Sequence, residues 1–534
     1  MNKLSVYWNT VKHLKPEQIV CRITRKLKLN CSLGITANTE AVCTSFVLLP
    51  WLDFDSCFLN RFPVEELLQD RITLLHETEE FSWDSVWHFK NRSPLWNYNL
   101  HYCEYLFSLV EAWRETKQAC CLEKFMHIVD GWITQNPKQA GGVGWDAYPI
   151  SLRLIVWMNC YSYLENDLEE VFKGKMLASM AEQYTHLATH LEKHLLGNHY
   201  FENLKTLVIC GLFFHDEKMT NAALRELKKQ CVEQILSDGM HFELSPMYHK
   251  IILEDLLRVC AALRQAGRQD EELEAYLQPM VDVAYSLEEG LERIPLFNDC
   301  GNNVTKSLDA LLTTAKREFG IDPIYKSQFP DSGYYIFKNG DWKLIVDAGQ
   351  PGPSYLPGHA HCDAMSFELF CKGKPVLANC GTYAYQCAER GFFRSTAAHN
   401  TVMVEGTEQS QCWGNFRMGK RSHTSVLEVT DHHISMEIAD QLNNRITRHI
   451  TFCENRMDIE DLSDTLPTVS HLHFQRMRRE GNVLCIDDLL YCTIPSDTKV
   501  EYNTVPYAEE FGKKETSGMI QIKGNYSLHI TWKP

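Results

Sequence analysis

The 534-residue chain carries 53 Lys and Arg against 69 Asp and Glu, a formal net charge of -16. That acidity excludes a general nucleic-acid binder, which needs a basic footprint, and means that an anionic substrate requires a locally basic cleft. With 44% hydrophobic and 11% aromatic residues the chain can bury large cores and is not a disordered polymer. Its 20 cysteines are scattered through apolar segments without a Cys-x-x-Cys pair, a pattern of buried reduced thiols rather than a disulfide framework. The segment Met1–Trp8 has no apolar leader core, and no apolar run is long enough to span a bilayer. The default expectations are a cytoplasmic location and no integral membrane segment.

In chain order, residues 1–60 read as a basic helix and a connection. Lys3, Lys12, Lys15, Arg22, Arg25, Lys26 and Lys28 are interleaved with Val, Trp, Leu and Ile. The favoured expectation is a helix packed on the following domain with its basic face in solvent. The alternative is a basic amphipathic helix on an anionic membrane. Pro16 breaks the stripe.

Residues 61–320 carry helical periodicity. Blocks such as Leu100–Glu115, Ile150–Tyr163, Glu202–Phe214 and Lys250–Ala266 place apolar residues near a 3.6 spacing. Short links between them predict an α/α toroid. From 325 to 534 the texture becomes short alternating runs. Gly333–Asp347 reads as two strands around Asn339-Gly340, and the rest suits an antiparallel β-sandwich.

Several stretches carry chemistry. In Pro357-Gly-His-Ala-His-Cys-Asp363, His359, His361 and Asp363 fall at i, i+2 and i+4, so on a strand they share one face. Two imidazoles and a carboxylate there can hold a metal or move a proton. Asn198-His199 lies at a helix start, where the dipole favours anions. Tyr248-His249 follows Ser245-Pro246 in another first turn. Trp96, Asn97 and His101 form a polar-aromatic cluster, as do Trp145, Tyr148 and Arg153; rings and guanidinium of this kind bind sugars and carboxylates, and they also pack between helices. Gly381–Tyr385, with Tyr383, and Arg390–Val404, with Arg394, His399 and Asn400, complete the set.

These residues resemble the heparinase II/III-like family of polysaccharide lyases, relatives of the alginate lyases. The specific parts are Gly358–Phe367, Gly381-Thr-Tyr383 and His399-Asn-Thr-Val402, with Asn198-His199 and Ser245–Tyr248 as shorter matches. His13–Pro16 with Arg22 is similar to members associated with bacterial exopolysaccharide production. The resemblance implies an incomplete (α/α) toroid followed by an antiparallel β-sandwich, with an acidic polysaccharide or oligosaccharide held between them.

It implies β-elimination at a uronic acid. Asn198, with His199, neutralises the carboxylate; Tyr248 and His359 supply acid and base; Trp96, Asn97, His101, Trp145, Tyr148, Arg153, Tyr383 and Arg394 contact the sugar. In metal-binding relatives zinc is held by the positions of His361, Asn379 and His399, the middle one an aspartate. Asn379 is a departure, because a neutral amide is a poorer zinc ligand than a carboxylate. Asp363 is an alternative ligand. Two competing readings stand beside the lyase. A glycoside hydrolase needs two opposed carboxylates, with Asp146, Glu202, Glu243 and Asp299 available. A non-catalytic polysaccharide-binding or assembly factor would use the same fold.

Overall fold

A computed structural model describes residues 3–27, 29–42, 46, 48–80, 82–464, 466–481, 483–493 and 498–532. Lys28 of the basic segment lies outside the described residues. Helices run to Leu308–Phe319, and from Gln328 the chain is built mostly of strands. The architecture is an α/α toroid followed by antiparallel β-sheets, as the pattern predicts.

The helix boundaries follow local chemistry. The predicted block at Leu100–Glu115 is two helices, Pro94–Tyr102 and Leu106–Thr116, split where Cys103 turns left-handed at φ 61°. The helix Pro246–Gln265 starts with Pro at its first turn, and the Ser245 hydroxyl accepts from the Tyr248 N–H at 3.3 Å. This cap fixes where Tyr248 emerges. The helix Gly197–Phe213 puts Asn198 inside its first turn rather than at the cap, which is Leu196. Gly197 has φ 57°, and a Cβ there would collide with Leu356 and Glu243, so only glycine fits.

Tyr334–Asn339 and Trp342–Asp347 form the predicted hairpin. They belong to a five-stranded sheet whose strands follow chain order to Lys374–Leu377; an eight-stranded and a four-stranded sheet make up most of the rest of the β half. Leu344, Phe367, Ile434, Ile459 and Leu528 fill the space between sheets. The two halves meet at a separate apolar cluster, with Met247 and Tyr248 from the toroid against Ala378, Tyr507 and Phe511 from the β half. The loop between them is pinned as well. The guanidinium of Arg293 donates to both oxygens of Glu368 at 3.0 and 3.1 Å, deep in the interior. No helix among the described residues is long and apolar enough to cross a membrane.

One local expectation fails. Residues 358–365 are not a strand; regular pairing begins only at Ser366. Met365 takes φ 60°, which an extended ladder does not allow. Polar side chains hold this loop instead. The Asn298 carboxamide oxygen accepts from the His361 N–H at 3.0 Å. Asp363 accepts from the Asn298 N–H at 2.8 Å. The His359 carbonyl accepts from the Asp299 N–H at 2.9 Å.

Candidate active site

The junction of the halves encloses a cavity of about 1030 Å³, lined by Asn198, His199 and Tyr248 from the toroid and His359, Tyr383 and Tyr385 from the β half. At its centre the Tyr248 and His359 rings lie 4.0 Å apart, centroid to centroid. Tyr248 Oη is 2.7 Å from Tyr385 Oη. Burial, then the neighbouring Tyr385, pushes the Tyr248 phenol well above its ordinary range, so Tyr248 holds its proton.

His359 is oriented from behind. Its Nδ1 is 3.0 Å from Asp299 Oδ2, a pairing that leaves Nε2 as the open nitrogen. Asp299 is fully buried and also meets Arg390, with Nη2 at 2.7 Å and a second contact from Nη1. Burial alone would raise Asp299; Arg390 and the two histidines outweigh it and hold the carboxyl well below the usual range. Asp299 is thus a fixed anion that receives an imidazole N–H, not a proton donor.

On the toroid side, the Asn198 N–H donates to Glu243 Oε1 at 3.2 Å, and Glu243 Oε2 lies 3.8 Å from His359 Nε2. Glu243 therefore bridges the two halves beside the Tyr248–His359 pair. His199 Nδ1 sits 3.3 Å from Glu192, its ring 4.6 Å from that of Tyr148. Burial lowers the His199 pKa, but Glu192 outweighs it and the net shift is upward. A histidine biased toward its protonated form beside the Asn198 amide suits a carboxylate ligand.

The predicted contacts divide. Trp145, Tyr148 and Tyr383 line the cavity. Trp96, Asn97, His101, Arg153 and Arg394 do not, which corrects the expectation that they touch sugar. Each is buried with its donors spent on the fold. Trp96 Nε1 donates to the Glu77 carbonyl, and Asn97 Nδ2 to that of Phe89, both at 3.0 Å. His101 accepts from Trp132 Nε1 at 3.0 Å. Arg153 donates to the His101 and Gly144 carbonyls and lies 3.9 Å over Trp132. Arg394 donates to the Ala360 and Pro357 carbonyls. Periodicity cannot say whether a polar-aromatic helix face meets a cleft or another helix.

Sequence reasoning missed Tyr385 and Arg390, although both lie in stretches it singled out. It missed Glu192, which nothing local marks. It also missed Arg22 and Arg25, which line the cavity with Arg417. Arg22 donates to the His194 carbonyl at 3.2 Å and Arg25 contacts the His194 ring. Among the described residues, none of these three arginines has a carboxylate within 4 Å. They form the locally basic rim that an acidic chain needs for an anionic ligand.

A candidate metal-binding group begins two residues after His359. One atom from each of His361, Asp363 and His399 lies within 4.8 Å of the others. His361 Nδ1 and His399 Nε2 face each other at 3.2 Å. Their outer nitrogens are engaged, His361 Nε2 with Asp299 at 2.8 Å and His399 Nδ1 with the Ser395 carbonyl at 2.9 Å. That arrangement points two lone pairs at one spot, with ligand spacing close to the roughly 3.3 Å expected for two imidazoles on tetrahedral zinc. Asn379 is not part of the group. Its oxygen accepts from the Asn400 N–H at 2.8 Å and its nitrogen donates to the Leu296 carbonyl at 3.0 Å, so the amide is the residue this backbone geometry requires.

A toroid followed by antiparallel β-sheets is also the fold of several solved polysaccharide lyases. A heparinase III structure superposes over 98% of this chain and 93% of its own, with a TM-score of 0.65 at 14% identity. A mutant heparan sulfate lyase from Pedobacter heparinus superposes over 96% and 87%, with a TM-score of 0.60 at 15% identity. Residues 60–325 match the family described as Heparinase II/III N-terminus, and residues 323–530 match Heparinase II/III-like, C-terminal. The chain belongs to the heparinase II/III-like family.

In sequence it is 22% identical to the heparin-sulfate lyase of Pedobacter heparinus, over 61% of this chain and 54% of that protein. It is 27% identical to FtsZ-localized protein C of Caulobacter vibrioides, over 38% of this chain and 34% of that protein. The chain spans about half the length of the heparin-sulfate lyases it matches.

Proposed function

We propose that the protein is a polysaccharide lyase that cleaves a uronic-acid-containing acidic polysaccharide by β-elimination. The carrying observation is the Tyr248–His359 contact at 4.0 Å with His359 Nδ1 tied to Asp299. It supplies a proton donor and a proton acceptor side by side at a cavity wall.

His359 Nε2 takes the C5 proton of the uronate. The C5–H electron pair becomes the C4–C5 double bond, and the C4–O4 bond breaks. Tyr248 Oη gives its proton to the departing O4, and the phenolate recovers a proton from the His359 imidazolium through solvent. The products are a 4,5-unsaturated uronate and a new free hydroxyl. Asn198 and the His199 imidazolium bind the uronate carboxylate, so negative charge spreading onto it as C5 loses its proton meets fixed donors. Trp145, Tyr148 and Tyr383 offer ring surface to sugars, and Arg22, Arg25 and Arg417 attract the anionic groups of the chain.

His361, Asp363 and His399 would hold a divalent ion, zinc by ligand type. Bound there, it would join the two loops structurally and fix His361 against Asp299. A hydrolase has weaker support. Asp299 is committed to Arg390 and two histidines, and Glu202 is ion-paired with Lys205.

The test is incubation with a panel of uronate polymers, following the ultraviolet absorbance of the conjugated unsaturated product. A lyase produces it with each cleavage. New reducing ends without absorbance would assign a hydrolase, and binding with neither would assign a non-catalytic factor.

A further inference from the structure

The first helix, Lys3–Val11, and the second, Pro16–Lys26, lie outside the matched family regions, which begin at residue 60. Their amphipathicity is inverted. The faces turned to the body carry polar groups beside only Cys21 and the Tyr7 ring, which packs on Trp413. Gln18 is fully buried and donates to the Leu195 carbonyl at 3.0 Å, Thr10 accepts from Trp413 Nε1 at 3.0 Å, and Asn9 is buried. The faces turned to solvent are apolar. Leu4, Trp8 and Val11 fall at i, i+4 and i+7 of the first helix, with Trp8 68% exposed; Ile19, Val20, Ile23 and Leu27 are the exposed apolar set of the second, with Val20 57% and Leu27 66% exposed. Apolar stripes at helical spacing normally face a core. An outward-facing stripe on each of two successive helices marks a surface that something apolar covers.

Charge selects the cover. Residues 3–27 hold Lys3, Lys12, Lys15, Arg22, Arg25 and Lys26 against Glu17 alone, in a chain of net charge -16. Lys12 and Lys26 are exposed beside the apolar stripe. Lys15 is committed to Glu233, and Arg22 and Arg25 turn to the cavity rim. A second copy would bring the same basic segment against itself, which like charge disfavours. A surface of Trp, Ile, Val and Leu flanked by lysines fits the headgroup region of an anionic bilayer, where apolar side chains enter the acyl boundary and lysines meet lipid phosphates.

We propose that these two helices are an interfacial anchor that seats the protein on an anionic lipid bilayer. This does not depend on the lyase chemistry. The test is co-sedimentation of the full chain with phosphatidylcholine vesicles, with and without phosphatidylglycerol, at low and high salt. The expected result is sedimentation with the anionic vesicles only, reduced by about tenfold or more at high salt. Trp8→Glu/Ile23→Glu abolishes it while circular dichroism and the melting temperature stay at wild-type values, and Lys12→Glu/Lys26→Glu weakens it by about tenfold. Wild-type protein that remains in the supernatant would overturn the proposal, as would equal binding by wild type and the Trp8/Ile23 variant. A dimer in light scattering that Trp8→Glu converts to monomer would instead assign the surface to a second copy.

Discussion

Asp299→Asn separates architecture from chemistry at one atom. The substitution keeps the shape and removes the charge that Arg390 and the His359 and His361 rings share. Arg390 is 1% exposed, so its guanidinium would be left buried with a neutral partner. Breaking a buried ion pair from one side costs about 3–5 kcal/mol, a large share of the roughly 5–15 kcal/mol that holds a typical domain together. The catalytic effect has a different origin. Without the carboxylate, His359 loses the acceptor that keeps its proton on Nδ1 and the anion that stabilises its imidazolium. Turnover should fall by about 10²–10⁴-fold, the scale of general acid–base catalysis.

Urea denaturation and product formation per folded molecule, measured on the same preparation, read the two effects apart. Asp299→Asn/Arg390→Met removes the orphaned cation and should recover much of the stability while turnover stays low. Folded Asp299→Asn protein with wild-type turnover would refute the Asp299–His359 pairing as part of the machinery. So would a double variant that regains both stability and turnover.

Glu192 holds His199 protonated against burial, so the pair's stabilisation is fully present below the ordinary histidine pKa of about 6.5 and is lost as pH rises through the raised value. In Glu192→Gln burial is opposed only by Glu243 and Glu202, and the alkaline limb of the pH–rate profile should move to lower pH; an unmoved limb would remove His199 from carboxylate binding. Asn379→Asp replaces the donor to the Leu296 carbonyl with an acceptor at 3.0 Å. It should destabilise by about 1–3 kcal/mol and leave metal content unchanged, whereas a gain of zinc would return that position to the ligand set. Purified protein should carry about one equivalent of zinc, lost with thermal stability in His361→Ala. Protein purified without metal, with a melting temperature that chelation leaves unchanged, would leave His361 and His399 as a hydrogen-bonded pair.

The parts of this protein legible in its sequence are those fixed by neighbours in the chain. Ser245-Pro246 announces a helix start and so places Tyr248, and Asn339-Gly340 announces a hairpin. The loop at 358–365 was not legible because its conformation is imposed by Asn298 and Asp299, some 60 residues away. Its i, i+2, i+4 spacing is shared by strands and by loops held through side chains. The Asp299–Arg390 pair spans 91 residues, and no local pattern links them. Trp96, His101 and Arg153 misled for a related reason. Aromatic, amide and guanidinium groups that grip a sugar are the same groups that grip one another and backbone carbonyls inside a toroid. The basic residues of the first two helices were legible as a set, but the sequence did not reveal that Trp8, Val20 and Ile23 stay exposed beside them.

The lyase account stands most directly on Tyr248→Phe. The change removes one hydroxyl whose protein partner is Tyr385 at 2.7 Å, so the fold should lose only about 1 kcal/mol. On a uronate polymer that the wild type cleaves, unsaturated product should form about 10²–10⁴-fold more slowly, with oligosaccharide affinity little changed. Folded Tyr248→Phe protein that binds oligosaccharide and forms unsaturated product at the wild-type rate would contradict the account.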